Sequence, residues 1–283
     1  MDQDLITCKN CGNRFEGKFC NRCGEKVYQE KDKNVLVLIE ETFHFITHVE
    51  GTFFTTLKSL FNRPGQISLD YCSGIRKKYF KPLSFFLLLV VIYLLFPLAS
   101  GLNMPMRFHL SNPHYGAFAT KKVTTFLTNH PGMSMETLAQ NFALKSEKTS
   151  KVLLFLIIPL CAFILWVIGF KKRPYLYDQM VLSAEINSFF LMISFFVIPV
   201  IFIMLRGISL LFHFSFELND DYIFTFTGQV ITAIFVAAAL RRFYRFGLLY
   251  TVLSTCIFMY FHDFIVYILY KFILFVVDLN LIH

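Results

Sequence analysis

The residues whose types and spacing can do chemistry are four cysteines near the start of the chain. Cys8, Cys11, Cys20 and Cys23 form two C-x-x-C-G turns with eight residues between the inner pair. In each turn two thiolates point the same way, and the glycine permits the backbone conformation that the turn requires. Two such turns facing each other make a tetrahedral four-sulfur cage, with structural zinc the expected occupant and iron the alternative. A module this small has no core of its own. The metal must supply most of its folding free energy, on the order of 10 kcal/mol or more. The spacer from Asn13 to Phe19 is expected to turn at Glu16-Gly17. Redox chemistry is disfavoured, because the motif is doubled and no βαβ pattern surrounds it. Cys72, Cys161 and Cys256 are scattered and read as small buried hydrophobes.

Other candidate chemistry is thinner. His44 and His48 are four residues apart, which on a helix puts both imidazoles on one face, with Glu40 a turn earlier and Glu41 nearby. That spacing suits a metal, and equally the polar face of a helix lying on a membrane. Arg63, Arg76, Lys77, Lys78 and Lys81 make a basic hinge suited to anionic lipid headgroups, each charge contributing about 1 kcal/mol near the surface. The same residues would also serve simply to set topology. Glu185, Arg206, His262 and Asp263, with neutral Gln229, are set in apolar sequence, where such groups are functional suspects. Glu185 and Arg206 fall near opposite ends of one run, where an interfacial position accounts for both, and Arg206 can pair with Glu217. P-loops, dinucleotide turns, nucleophile elbows and H-E-x-x-H are absent from the sequence.

What must position these residues is a set of apolar helices. The 283 residues are 55% hydrophobic and only 16% charged, against about 25% charged in soluble domains. Mean hydropathy is +0.55. The change of phase is sharpest where Arg76-Lys77-Lys78-Tyr79 gives way to the charge-free run from Leu83 to Leu98. The expected spans are about 80–98, 151–170 with a kink at Pro159, 181–205 with Pro199, 222–240 and 246–279. The last is expected as one long helix, a break at His262-Asp263 being the alternative. The fold class is therefore an all-α multi-pass transmembrane bundle of five spans, or six. Residues 1–26 are the zinc ribbon, residues 27–79 a linker with membrane-surface amphipathic helices and the basic hinge, and residues 80–283 the transmembrane domain. The amphipathic reading rests on Leu36, Ile39, Phe43, Ile46, Phe53, Leu57 and Leu60 recurring every three or four residues. Gly51 is a candidate break, and a short helix to Tyr71 or Ser73 should follow Arg63-Pro64-Gly65. Residues 101–149 are expected as a polar connection in which Ser134 caps a helix through Ala143.

Orientation follows from the loops. Arg76-Lys77-Lys78, Lys171-Lys172-Arg173 and Arg241-Arg242-Arg245 share one side if the spans alternate, while Glu217, Asp220 and Asp221 fall on the other. The positive side is the cytoplasm, whose reducing conditions keep the ribbon thiols free for metal. The polar, cysteine-rich start is not a basic-then-apolar leader, so the first span is expected to act as its own insertion signal.

Several stretches together resemble one group of bacterial membrane proteins, the uncharacterised family called domain of unknown function thirty-six sixty-seven. They are the paired C-x-x-C-G with Gly17 to Cys20 between, T-x-x-x-L-x-x-R-P-G from Thr56 to Gly65, Y-x-x-G-x-R-K-K-Y-x-x-P from Tyr71 to Pro82, and a late R-R-F-Y from Arg241 to Tyr244. The resemblance is best over the head and first span and implies a multi-pass protein of the bacterial inner membrane. One departure stands out: such proteins tend to carry Glu-His before the third span, and this chain has Asp178-Gln179. The family brings no activity with it.

The expected function is a non-enzymatic inner-membrane anchor or scaffold whose cytoplasmic ribbon binds a protein partner. One alternative is a small transporter or lipid-handling protein with the basic hinge as headgroup site and Asp263 or Glu185 lining a path. Another is a membrane metalloenzyme using His44 and His48. The lack of inverted repeats weighs against transport. Nucleic acid is disfavoured, since Glu16 and Glu25 offset the ribbon's Lys9, Arg14, Lys18, Arg22 and Lys26.

Overall fold

The structure is a computed structural model that describes residues 5–8, 11–23, 51–76, 78–96, 104–211 and 220–282, with side chains for all of these but 94, 151–152 and 209–225. His44, His48, Lys77 and Glu217 lie outside the described residues, and so does any break before Gly51. Two compact units are present, Met1–Gly51 and Thr52–His283.

In the first unit, β1 (Ile6–Thr7) pairs antiparallel with β2 (Arg14–Phe15), Ile6 opposite Phe15 and Thr7 opposite Arg14. The pairing closes across the first cysteine turn. Gly17 takes a left-handed φ of +101°, as the spacer turn requires. Apart from Phe15, the interior is made of the cysteines themselves, with Ile6 alongside.

The second unit is helical. Residues 51–62 form α1 and Gln66–Cys72 form α2, joined by the Arg63-Pro64-Gly65 turn. The expected first span becomes α3 (Pro82–Leu95), a helix of 14 residues. At 1.5 Å per residue it is about 21 Å long, short of the roughly 30 Å of a hydrocarbon core. Phe96 stops it, with φ −131° and ψ 72°. It precedes Pro97, whose ring disfavours helical geometry in the residue before it.

The expected polar connection is instead largely helical: α4 (Met106–Leu110), α5 (Gly116–Asn129) and α6 (Met135–Leu153). Ser134 caps α6 as expected, its Oγ accepting the Thr137 N–H at 3.1 Å, but the helix continues well past Ala143. Met106, Ala119, Val123, Leu138 and Phe142 bury an apolar cluster against Phe275, Leu279 and Ile282. The sequence hid this because its apolar positions are sparse and separated by lysines and threonines.

A 3₁₀ turn (Leu154–Leu156) leads into α7 (Ile157–Gly169), and the pair of helices is bent by 45° at this break. The bend comes before Pro159, not at it. Proline 159 cannot donate to the carbonyl of Phe155, and its ring crowds that group, so the turn holding Phe155 tightens. The next run shows the same logic. α8 (Leu176–Met192) passes through a π-helical turn (Ile193–Val197) into α9 (Ile198–Leu211). Pro199 would clash with Phe195, and Phe195 sits in that π turn. Then come α10 (Asp220–Tyr244) and α11 (Leu248–Asp263), the latter continuing through a second π turn (Phe264–Leu269) into α12 (Tyr270–Asn280).

Among the described residues three runs are long and apolar enough to cross a membrane: Leu176–Ile208, Phe226–Tyr244 and Leu248–Asn280. The bent pair Met135–Ser150 and Leu154–Gly169 makes a fourth if taken as one span. Among the described residues the helix lengths thus give three spans or four, and not the expected five or six. The last apolar stretch is one continuous helical run.

At the centre lies α8, packed on α7 and α3 and buried on every side from Val181 to Leu191. Its polar residues are mostly bonded internally. Ser183 Oγ donates to the Ile158 carbonyl at 2.8 Å, and Asn187 Nδ2 donates to the Ser183 carbonyl at 2.8 Å.

Candidate metal centre and the cationic end of the bundle

The four expected ligands come together. Cys8 and Cys23 sulfurs are 3.5 Å apart, Cys11 and Cys20 sulfurs 3.7 Å, and all four lie within 4.8 Å of one another. Metal–sulfur bonds of about 2.3 Å in a tetrahedron put sulfurs about 3.8 Å apart, so the four fit a single ion. The local backbone explains how. Gly12, at φ +70°, donates its N–H to the Cys8 carbonyl at 2.9 Å, and the Cys8 N–H donates to the Asn13 carbonyl at 2.8 Å. Asn13 Nδ2 then ties the two cysteine turns together, donating to Asn21 Oδ1 at 2.7 Å. Among the described residues no other three His, Cys, Asp or Glu side chains gather in this way. The seven cysteines are all free.

In the second unit the Arg63-Pro64-Gly65 turn is clamped between two bundle helices. Gly65 has φ +76°, and a Cβ there would stand 2.8 Å from the Ala239 carbonyl oxygen of α10. Only glycine tolerates both the angle and the approach. From α10, Arg242 donates to the Pro64 carbonyl at 2.5 Å. From α8, the Glu185 carboxylate accepts from the Gly65 N–H and the Ser68 N–H, each at 2.8 Å, and from Ser68 Oγ at 2.5 Å. The first-turn donors of α2, which lack partners within their own helix, thus meet a carboxylate lent by a neighbour. Glu185 is 2% exposed, buried between the helices at this end of the bundle. It is an internal clamp.

The chain beyond α2 is fixed as tightly. Asp70 accepts from Tyr79 Oη at 2.8 Å, from Gln66 Nε2 at 2.7 Å and from Lys78 Nζ at 3.3 Å. Burial alone would raise the Asp70 carboxyl, but these donors outweigh it and hold the group below its ordinary value. Thr56 Oγ1 accepts the Phe80 N–H at 2.8 Å, tying α1 to the start of α3.

Residues 50–94 match the family described as Protein of unknown function (DUF3667). The matched segment contains both central signatures that the sequence reading relied on, from Thr56 to Gly65 and from Tyr71 to Pro82. No curated protein and no solved structure matches the chain.

The geometry gives the DUF3667 signatures a physical content. Thr56, Pro64, Gly65 and Tyr79 are all contact residues that lock α1, α2 and α3 to one another or to the bundle. Partners from outside the segment were not legible in advance: Ser68 was passed over, and nothing in a single sequence aligns Glu185 or Arg242 with a turn more than 100 residues away. Gln179, one half of the departure from the family pattern, is also structural. Tyr244 Oη donates to Gln179 Oε1, and Gln179 Nε2 donates to the Arg173 carbonyl at 2.8 Å.

Three basic stretches meet at this end of the bundle. Arg76 lies over the rings of Tyr71 and Tyr177, at 5.3 and 5.9 Å from their centroids. Arg173 lies 4.2 Å from the Phe243 ring centroid and bonds Asp178 at 3.2 Å. Arg63, Arg76, Lys78, Lys81, Lys171, Lys172, Arg241 and Arg245 are exposed there. Of the remaining sequence candidates, Arg206 is exposed on α9, and Asp263 Oδ2 accepts from Gln229 Nε2 of α10 at 3.2 Å.

Proposed function

We propose that this chain is a non-enzymatic anchor of the bacterial inner membrane, and that its Cys8, Cys11, Cys20, Cys23 centre is a cytoplasmic zinc ribbon that docks a protein partner. The observation that carries the reading is the four-sulfur cage. It is built by two main-chain turns tied through the Asn13 side chain, with every sulfur needed as a ligand and no open coordination position for catalysis. A closed site of that kind organises a surface. The cationic end of the bundle supports a cytoplasmic placement for that side of the membrane domain, because basic residues in short loops are retained inside.

The test is co-purification from membranes in mild detergent, comparing the full chain with a Cys8→Ser, Cys20→Ser variant. The anchor reading expects stoichiometric zinc and a partner protein with the native chain, and loss of both with the variant while the helical bundle stays intact. A partner retained without metal would overturn the docking role.

The crowding of basic side chains favours one second reading, in which Arg63, Arg76, Lys78 and Lys81 hold anionic headgroups. Tyr71 and Tyr177 give Arg76 a fixed platform, which a purely topological charge does not need. Phosphorus analysis of lipid retained by the purified protein would show less phospholipid after Arg63→Gln and Arg76→Gln. Unchanged retention would reject the headgroup role.

A further inference from the structure

Asp263 is the sixteenth residue of the 33-residue helical run Leu248–Asn280, so it lies at the midpoint of a candidate span. A bare carboxylate at that depth is costly, and an ionisable group there is by default a functional candidate. What surrounds it is unusual. Gln229 Nε2 donates to Asp263 Oδ2 at 3.2 Å, and this neutral amide is the donor given by the neighbouring helix α10. His262, beside it on the same helix, has a side chain 1% exposed, and Nδ1 stands 3.8 Å from Asp263 Oδ1. That gap exceeds a hydrogen bond, and neither ring nitrogen of His262 has a hydrogen-bond partner. Its surroundings are otherwise apolar: Phe190 of α8 at 5.0 Å and Phe258 at 5.7 Å between ring centroids. Thr232, one turn on from Gln229 in α10, is a further buried hydroxyl without a partner.

The remaining packed elements bring no charge to offset the carboxylate. Tyr267, on the π turn, interacts electrostatically with Asp263 but is neutral when protonated. α7, which also packs on α11, carries only Cys161 as a titratable side chain. Among the described residues no lysine, arginine or second carboxylate pairs with Asp263. The π turn that begins directly after Asp263, at Phe264, contains no proline. The π turn before Pro199 is explained by that proline; this one is not, and π bulges without such a cause recur at functional sites.

We propose that Asp263 and His262, with Gln229 as hydrogen-bond donor, form an intramembrane site whose ligand is a single proton. Two arrangements hold it with no net charge: a protonated Asp263 beside a neutral His262, or an Asp263 carboxylate beside a His262 imidazolium. Either form satisfies the bilayer, and either gives the buried imidazole nitrogens something to do. Losing the proton leaves one uncompensated negative charge supported by the Gln229 amide. This site belongs to the membrane domain and is independent of what the cysteine cluster binds.

Infrared titration of the full chain reconstituted in lipid bilayers tests it, following the protonated-carboxyl and imidazole bands together. The native chain should show a carboxyl band and an imidazole band that change together with pH. Asp263→Asn should abolish that change. Gln229→Leu keeps both titratable groups and removes the amide donor at Asp263 Oδ2, so it should shift the frequency of the carboxyl band. The site is overturned if no carboxyl or imidazole band changes with pH, if Asp263→Asn behaves as the native chain does, or if Gln229→Leu leaves the carboxyl frequency in place. Should Asp263→Asn fail to fold, the Gln229→Leu shift alone decides.

Discussion

Glu185 accepts three hydrogen bonds from α2, and removing its carboxylate would strand two amide N–H groups in a place water cannot reach. Each stranded donor costs about 1–3 kcal/mol, so Glu185→Ala should lower stability by about 2–4 kcal/mol, with Glu185→Gln losing roughly half as much because one acceptor remains. Thermal unfolding in detergent measures both. Asp70 offers a second check, through pH. Its folded carboxyl sits below its unfolded value near 4, so its contribution is complete above that value and fades as pH falls through the lower folded one. Asp70→Asn should therefore weaken the chain at neutral pH and flatten the acid limb of its stability profile. At this scale the cysteine ligands were fully legible, because metal geometry prescribes both residue type and spacing. Glu185 was legible as an oddity, but its partners were not. A sequence marks a charged residue among apolar ones, but whether it faces lipid boundary or interior depends on donors supplied by a distant turn.

The elements divide by what makes them hold together. The ribbon has two strands of two residues each and an interior of sulfur, so chelation should unfold it while leaving the bundle helices in place. Amide proton dispersion from residues 5–23 would collapse on adding a strong chelator, and far-ultraviolet helicity would barely change. The apolar runs gave the order of the long bundle helices but not their number, and the two proline positions marked stretches where regular helix fails. Where the distortion falls was shifted by about one turn, because proline acts on the carbonyl four residues earlier rather than on its own position. The helices α4 to α6 escaped notice for a different reason. Their apolar face is completed by α12, and an amphipathic helix whose partner lies more than 100 residues away shows only a faint stripe.

For the whole molecule, the three basic stretches form one end, while α4 and α6 pack against α12 at the other. Threading then has a definite consequence. Reporter fusions after Arg173 and after Arg245 should read as cytoplasmic, and one at the C-terminus should read as external, because Leu248–Asn280 carries the chain from the first end to the second. A cytoplasmic C-terminus would mean that the last run does not cross. The charge pattern supplies this orientation only as an expectation; the closeness of the basic stretches was not legible in the sequence, since it depends on Gly65 nesting against Ala239 and Arg242 reaching Pro64.

One dimension of the molecule reaches beyond it. With α3 only 14 residues long and Leu83, Val91, Leu95 and Phe96 exposed along it, this flank offers lipid a belt about a third narrower than the acyl layer it meets. Neighbouring chains must shorten or splay to match it, at some fraction of a kcal/mol for each ångström. A lopsided dimple in the surrounding leaflet follows, one that would draw short-chain lipids to this side and set the protein's taste among membranes of different thickness.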